Sequence, residues 1–512
     1  MRSEERKRSG NSIGRAVFVG VSLVLQIGWL LLMVLELNNY STAISLISSA
    51  LASLAVLRLY SRDTNSAFKM PWIMLMMALP VMGLSLYLLV EVAATPRAVR
   101  KKLRQIRKER SGVIDQDEAV LAALEQQDRS AANQFRYVWQ NVHSPVHADT
   151  KATYYPRAAA ALEALKADLE KAEEYIFMEY FIVEDGEAFR QLREILARKA
   201  KQGVEVRLLY DDFGSIGYVN LKFARGLNDE GIQCRVFNPA VPVLKLFMNN
   251  RDHRKITVID GKVGYTGGFN LADGYFDLEH PYGDWKDTGV RLEGGAVRNL
   301  TGTFLELWGS SDKTPENGCR YLERQHAVAG DGFVQPFGDD PLEAERAAEN
   351  VYINMISQAE KYIYFMTPYL IITDELKHAL GLAAKRGVDV RIITPGVPDK
   401  KTVYAMTRSY YAGLAGQGVR IYEYSPGFLH AKQCVCDGRL ASIGTSNLDY
   451  RSLYLHFENN VLLYDCQAVR DMEKDFLETF PQCREVTERY RSGLSATLRT
   501  WQCILRLFAP MM

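Results

Sequence analysis

Two histidines and two lysines recur in this chain at one spacing, followed both times by similar residues. The first copy runs through His253, Lys255 and Asp260-Gly261 to Gly267-Gly268-Phe269-Asn270. The second runs through His430, Lys432 and Asp437-Gly438 to Gly444-Thr445-Ser446-Asn447. Such a set suits a phosphodiester. Lysines stabilise its non-bridging oxygens, and asparagine amides donate to the same atoms. One imidazole can attack phosphorus while the other protonates the departing alkoxide. Neither a carboxylate cluster suited to magnesium nor a His/Cys cluster suited to zinc accompanies them. The expectation is no metal and no cofactor. Asn270, Asn447, Gly268 and Ser446 are the candidate phosphate-binding positions.

The elements around these residues explain the spacing. Residues two apart on a strand share a face, so His253 lies beside Lys255 and His430 beside Lys432. Asp-Gly between two apolar runs predicts a two-residue hairpin, pairing Ile259 with Lys262 and Cys436 with Arg439. Lys255 then faces Thr266 and His253 faces Gly268, while Lys432 faces Ile443 and His430 faces Thr445. Asp260 and Asp437 complete the two motifs as candidate catalytic residues, yet each is also the natural first residue of its turn. Glu179, in an apolar strand, fits either a site or a strand end.

Each motif closes a similar run of alternating strands and helices. Lys201-Gln-Gly-Val-Glu-Val-Arg207 is matched by Lys385-Arg-Gly-Val-Asp-Val-Arg391. Helices are predicted over Ala158–Ala172 and Phe189–Ala200, with strands over Tyr175–Val183 and Val204–Tyr210. The pattern predicts two homologous α/β domains, each with a largely parallel sheet, at 151–328 and 329–485. Each contributes half of one site.

The first 96 residues differ in composition. Apolar segments at about 16–37 and 71–90 are long enough to span a bilayer, for which roughly 20 residues are needed. A shorter one at about 43–57 fits a re-entrant or interfacial piece. Arg2, Arg6, Lys7, Arg8 and Arg15 before the first segment, and the basic run Arg97–Lys108 after the last, place both flanks inside. A multi-pass anchor in a bacterial cell membrane follows, with catalytic domains on the cytoplasmic face. Residues 97–150 form a basic helical linker suited to anionic head groups. Leu494, Leu498, Trp501, Leu505 and Phe508 give residues 486–512 an amphipathic helix, interfacial or packed on the catalytic domain. The charge balance of 62 Lys and Arg against 61 Asp and Glu gives no reason to expect nucleic acid. Seven scattered cysteines without a CxxC pair fit reduced thiols.

The duplicated HxKxxxxD motif, each copy followed by its Gly-rich turn and asparagine, resembles the phospholipase D superfamily. Tyr154-Tyr155, Met178-Glu-Tyr-Phe181, Asn249-Asn-Arg-Asp-His253, Thr367-Pro-Tyr369 and Gly444-Thr-Ser-Asn-Leu-Asp-Tyr-Arg451 are similar to the bacterial cardiolipin synthases within it. The resemblance covers about residues 70–512. It implies a membrane-bound phosphatidyltransferase that condenses two phosphatidylglycerols into cardiolipin and glycerol through a phosphatidyl-histidine. His253 is then the favoured nucleophile and His430 the acid, then base. It also implies a carboxylate orienting each imidazole: Asp287 downstream of the first motif and Glu458 downstream of the second. The alternatives are hydrolysis to phosphatidic acid, transfer from another phospholipid, or a catalytically silent lipid-binding protein. Oligomeric state is left open.

Overall fold

The computed structural model describes residues 42–92, 97–220, 222–239, 250–310, 318–323, 326–491, 496–507 and 509–511, with isolated positions at 24, 28 and 35. Two sheets dominate it. The first contains β1 (Thr150–Tyr155), β2 (Tyr175–Tyr180), β3 (Glu205–Asp211), β4 (Gln233–Phe237), β5 (Lys255–Ile259), β6 (Val263–Gly267) and β8 (Gly289–Gly294), in spatial order β1-β8-β6-β5-β2-β3-β4. A short β7 (Asp284–Lys286) lies outside it.

The second sheet repeats that order. It contains β9 (Phe333–Asp339), β10 (Tyr362–Met366), β12 (Asp389–Pro395), β13 (Arg420–Tyr424), β15 (Gln433–Cys436), β16 (Leu440–Gly444), β18 (Glu458–Tyr464) and β19 (Cys483–Glu485). The spatial order is β19-β13-β12-β10-β15-β16-β18-β9. The short strands β11 (Leu370–Ile371), β14 (Gly427–Leu429) and β17 (Leu448–Asp449) pair elsewhere.

The sheets are mixed, which corrects the expectation of largely parallel ones. Only β2, β3 and β4, and their counterparts β10, β12 and β13, run parallel. The others are antiparallel, because the Asp-Gly turns return the chain directly instead of through a helix. The sheets face each other across one core. Phe177, Ile256, Val258 and Leu292 come from the first and Met366, Ile393, Val435, Ile443 and Val461 from the second. Helices cover both outer faces, with separate apolar cores beneath them.

The N-terminal segments depart from expectation. The first, at about 16–37, lies almost wholly outside the described residues. The short one is a helix, Thr42–Tyr60. The stretch 71–90 is two helices, Ser66–Ala78 and Pro80–Val92, broken at Leu79. The break is favoured by Pro80, which disfavours α geometry at the residue before it; Leu79 sits at φ −136° and ψ 77°. Among the described residues no helix is long and apolar enough to cross a membrane. The three helices share Ala52, Leu59, Met76 and Tyr87 as a small core. They expose Leu46, Leu51, Leu54, Leu57, Met74 and Met77. Phe68 packs edge-on to Tyr450, with ring centroids 5.5 Å apart, which ties this unit to the second half.

The linker is likewise part of the folded body. In its basic helix, Arg97–Ser111, Arg110 meets Glu306 at 2.6 Å and Arg107 pairs with Asp340. These arginines are therefore spent on protein carboxylates, not on head groups. The C-terminal helix, Ala496–Leu507, packs on the helix Lys401–Ala415. Leu505 is buried there and Trp501 is exposed.

Candidate active site

The two motif histidines meet where the halves join, because each motif pairs with the other half's backbone. The His253 N–H donates to Phe457 O at 2.9 Å, and the Phe457 N–H to Arg251 O at 2.8 Å. Correspondingly, β14 pairs in parallel with β7, and the His430 N–H donates to Lys286 O at 2.8 Å. Phe457 immediately precedes Glu458, and Lys286 immediately precedes Asp287. Each histidine is thus delivered to the carboxylate of the opposite half.

The distances reflect this crossing. His253 Nδ1 lies 2.9 Å and 3.0 Å from the Glu458 oxygens. His430 Nδ1 lies 2.6 Å from Asp287 Oδ2. The sequence singles out both carboxylates, but matching each to its own half's histidine is corrected: the pairs are exchanged. An Nδ1–H given to a carboxylate leaves Nε2 as the reactive nitrogen. Lys432 Nζ also stands 2.7 Å from His430 Nδ1. That nitrogen has a single hydrogen-bonding site, which Asp287 takes, so the ammonium stands alongside it. Both lysines bond back to their motif's histidine carbonyl, Lys255 at 2.6 Å.

One asymmetry between the motifs now has a reason. A Cβ on Gly268 would sit 2.0 Å from Asp287 Oδ1, so glycine makes room for the shorter carboxylate. At the matching position Thr445 Oγ1 donates to the longer Glu458 at 2.5 Å. Gly268 spends its N–H on Thr288 O at 3.0 Å, and Ser446 Oγ accepts from Asn460 at 2.7 Å. Neither supports the phosphate-binding part expected of it. Asn270 donates to Tyr275 Oη at 2.9 Å and Asn447 to Asp449 Oδ2 at 3.1 Å. Each carboxamide nitrogen carries a second N–H beyond that bond.

Asp260 and Asp437 are not with the imidazoles. Each starts a turn with two positive φ values, 51° and 64° in the first, 52° and 67° in the second. Asp260 lies about 17 Å along β5 from Lys255, at about 3.3 Å per residue. Its carboxylate accepts the N–H groups of Glu173, Glu174 and Tyr175 at 2.8–2.9 Å. Asp437 does the same for Glu360, Lys361 and Tyr362. They are corrected from catalytic to structural. Asp260→Ala is expected to cost about 3 kcal/mol of stability by orphaning these donors. Asp437→Ala should cost less, being half-buried. Thermal denaturation, with activity measured below the transition, checks both. The hairpin register also differs by one. Ile259 pairs with Val263 and Cys436 with Leu440, because Lys262 and Arg439 are extra residues after the turn.

Burial and mutual repulsion set the protonation states. Burial and Lys255 lower the His253 imidazole well below its usual range. Burial and Lys432 lower His430 to about 4, against Asp287. Burial lowers the Lys255 ammonium to about 7 and Lys432 to about 8. Burial raises Glu458 well above its usual range despite Lys255. It also pushes Asp287 up, but His430 and Lys432 outweigh it and hold that carboxyl low. The charged lysine is the useful form, so kcat/KM should fall as pH rises through about 7 to 8. Lys255→Arg should move the onset of that alkaline limb upward, toward the Lys432 value of about 8, since guanidinium keeps its proton; a pH profile checks it.

Several neighbours carried no signal in the sequence. Asn459 links the halves, donating to Thr266 Oγ1 at 2.7 Å. The His456 ring stands 5.5 Å from that of His253. Ligand atoms of His253, His456 and Glu458 lie within 4.8 Å of one another, a set able to hold a metal ion. Arg451, Lys255 and Arg251 bear on His456 and oppose a cation there. Glu179, which the sequence does single out, is fully buried and 3.8 Å from Arg254.

The comparisons agree with this geometry. Residues 165–283 and 352–480 match the family described as cardiolipin synthase, PLD-like domain. The cardiolipin synthase of Geobacillus kaustophilus is 34% identical over 457 residues, 86% of this chain and 88% of that one. That of Staphylococcus aureus (strain N315) is 32% identical over 478 residues, 91% and 95% of the two chains. This chain belongs to the cardiolipin synthase family. It is, with that family, a phospholipid-transferring enzyme of the phospholipase D superfamily. Among solved structures, phosphatidylserine synthase of Haemophilus influenzae shares the fold. Its TM-score is 0.55 at 16% identity, covering 74% of this chain and 97% of that one.

Proposed function

We propose that this cardiolipin synthase family member condenses two phosphatidylglycerols into cardiolipin and glycerol through a phosphatidyl-histidine. The observation that supports it most is the pair of imidazoles held through Nδ1 by carboxylates of opposite halves. His253 Nε2 attacks phosphorus, and the bond from phosphorus to the headgroup glycerol oxygen breaks. His430 gives that oxygen its proton. A hydroxyl of the second phosphatidylglycerol then passes its proton to His430 and attacks phosphorus, and the phosphorus–nitrogen bond breaks. Lys255 and Lys432 stabilise the charge on the non-bridging oxygens, with Asn270 and Asn447 alongside.

Electrostatics favours this division of labour. Burial and Lys255 hold the His253 imidazole well below its usual range, so it stays unprotonated for attack. His430 faces the carboxylate held low, which supports an imidazolium when the substrate's negative charge arrives. Transfer needs the hydroxyl to outcompete water, which a bilayer-facing, water-poor site favours. We place the enzyme on a bacterial membrane, attached through residues before 97, with its catalytic halves on the cytoplasmic side. The apolar side chains exposed on the helices Thr42–Tyr60 and Ser66–Ala78 support this. The test is incubation with phosphatidylglycerol carrying separate labels in headgroup and acyl chains. Cardiolipin and free glycerol in equal amounts are expected. Phosphatidic acid as the sole lipid product would replace this reading with hydrolysis, and no turnover would leave a silent binding protein.

A further inference from the structure

The residue two places before each orienting carboxylate leans on the imidazole that the carboxylate holds. His456 lies beside His253, and Trp285 beside His430 with ring centroids 5.4 Å apart. The two flanks are related by the repeat, yet chemically they differ. On the His430 side the wall is aromatic. Tyr275 stands edge-on to His430 at 5.2 Å, Phe428 is tilted against it at 5.9 Å, and both pack on Trp285. Trp285 is 9% exposed, and its indole Nε1 has no hydrogen-bond partner among the described residues. A buried N–H without an acceptor is costly, so such a group points to an oxygen that arrives with a ligand.

We infer that Trp285, Tyr275 and Phe428 form the subsite for the headgroup alcohol, with the indole N–H donating to the hydroxyl oxygen that exchanges its proton with His430. This rests on the phosphatidyl-transfer reading and names where its acceptor binds. The lysines address the phosphoryl oxygens, so the indole is not needed there. Aromatic faces suit the CH₂ groups of a small polyol, a contact that water cannot make. An indole donates only; it takes a hydroxyl through its lone pair and leaves the hydroxyl proton for His430. The incoming alcohol, held by its carbons as well as its oxygen, is thereby favoured over water. The balance is that of the second half-reaction: the oxygen–phosphorus bond forms, the phosphorus–nitrogen bond to His253 breaks, and the alcohol proton passes to His430.

The experiment uses the full chain in vesicles of acyl-labelled phosphatidylglycerol. Trp285→Phe keeps a ring and removes the N–H. The ratio of cardiolipin to phosphatidic acid should fall about fivefold, as expected for one lost neutral hydrogen bond. Trp285→His, which restores a ring N–H, should recover part of the ratio. An unchanged ratio, including one in which both products fall together, sinks the subsite while leaving transfer intact. Wild-type enzyme that yields phosphatidic acid alone sinks the transfer reading, and the subsite with it. A second reading needs no variant. With cardiolipin and added glycerol, wild-type enzyme should run backwards to phosphatidylglycerol at a rate that saturates in glycerol. A rate still rising linearly at high glycerol would mean that no subsite holds the alcohol.

Discussion

His253→Ala and His430→Ala should each remove cardiolipin formation almost completely, by about 10⁴-fold or more, as expected for residues acting as one catalytic unit. Their phenotypes should differ in kind. Without His253 no phosphatidyl-enzyme can form. Without His430 the nucleophile remains but the leaving oxygen has no proton donor, so a substrate with a good leaving group should still load His253. That adduct would then persist, since the acceptor hydroxyl has lost its base. Rapid quench in denaturant at neutral pH, where the phosphorus–nitrogen bond survives, and mass spectrometry of His430→Ala, exposed to phosphatidyl-p-nitrophenol, should find phosphatidyl on His253. Mixing the two variants should restore nothing beyond the sum of their residual rates, because both imidazoles lie in one chain's site.

Asp287→Asn is expected to lower kcat by about 10³-fold, by holding the wrong His430 tautomer and failing to support its charged form. The residue lies in the first half and its histidine in the second. The loss should therefore be absent on a His430→Gln background, the non-additivity that marks a coupled pair. Gly268→Ala should reproduce much of the defect without touching either partner. Its new methyl would overlap Asp287 Oδ1, only 2.0 Å away, and push the carboxylate off the 2.6 Å contact with His430 Nδ1. Glu458→Gln should be milder, since burial raises the Glu458 carboxyl well above its usual range and its hold on His253 rests less on charge. Steady-state kinetics of the three variants gives the order.

Much of this site is legible in the sequence. Spacing alone brings His253 to Lys255 and His430 to Lys432, and the repeat announces that two such strands share a task. The Asp-Gly turns are real, with both central residues at positive φ. What the sequence conceals depends on long-range pairing. The crossing of the carboxylates follows from the pairing of Asp252 with Phe457 and of β14 with β7, contacts between segments about as far apart as the halves themselves. The one-residue slip after each turn comes from Lys262 and Arg439, whose N–H groups close the turn onto Ile259 O and Cys436 O while their carbonyls bond outside the hairpin, accepting from the Gly294 and Asp465 N–H groups. An Asp at a fixed offset in both motifs reads as chemistry until its three backbone donors are seen. The long apolar run at 71–90 hides a break because hydropathy does not register that Pro80 disfavours α geometry at Leu79.

The crossed pairing is tested most directly by imidazole ¹⁵N resonances in protein labelled at its eight histidines. Asp287→Asn should shift the His430 Nδ1 signal and leave that of His253 in place, and Glu458→Gln should do the reverse. If each substitution instead moved the histidine of its own half, the two halves would be separate sites and the account would be wrong.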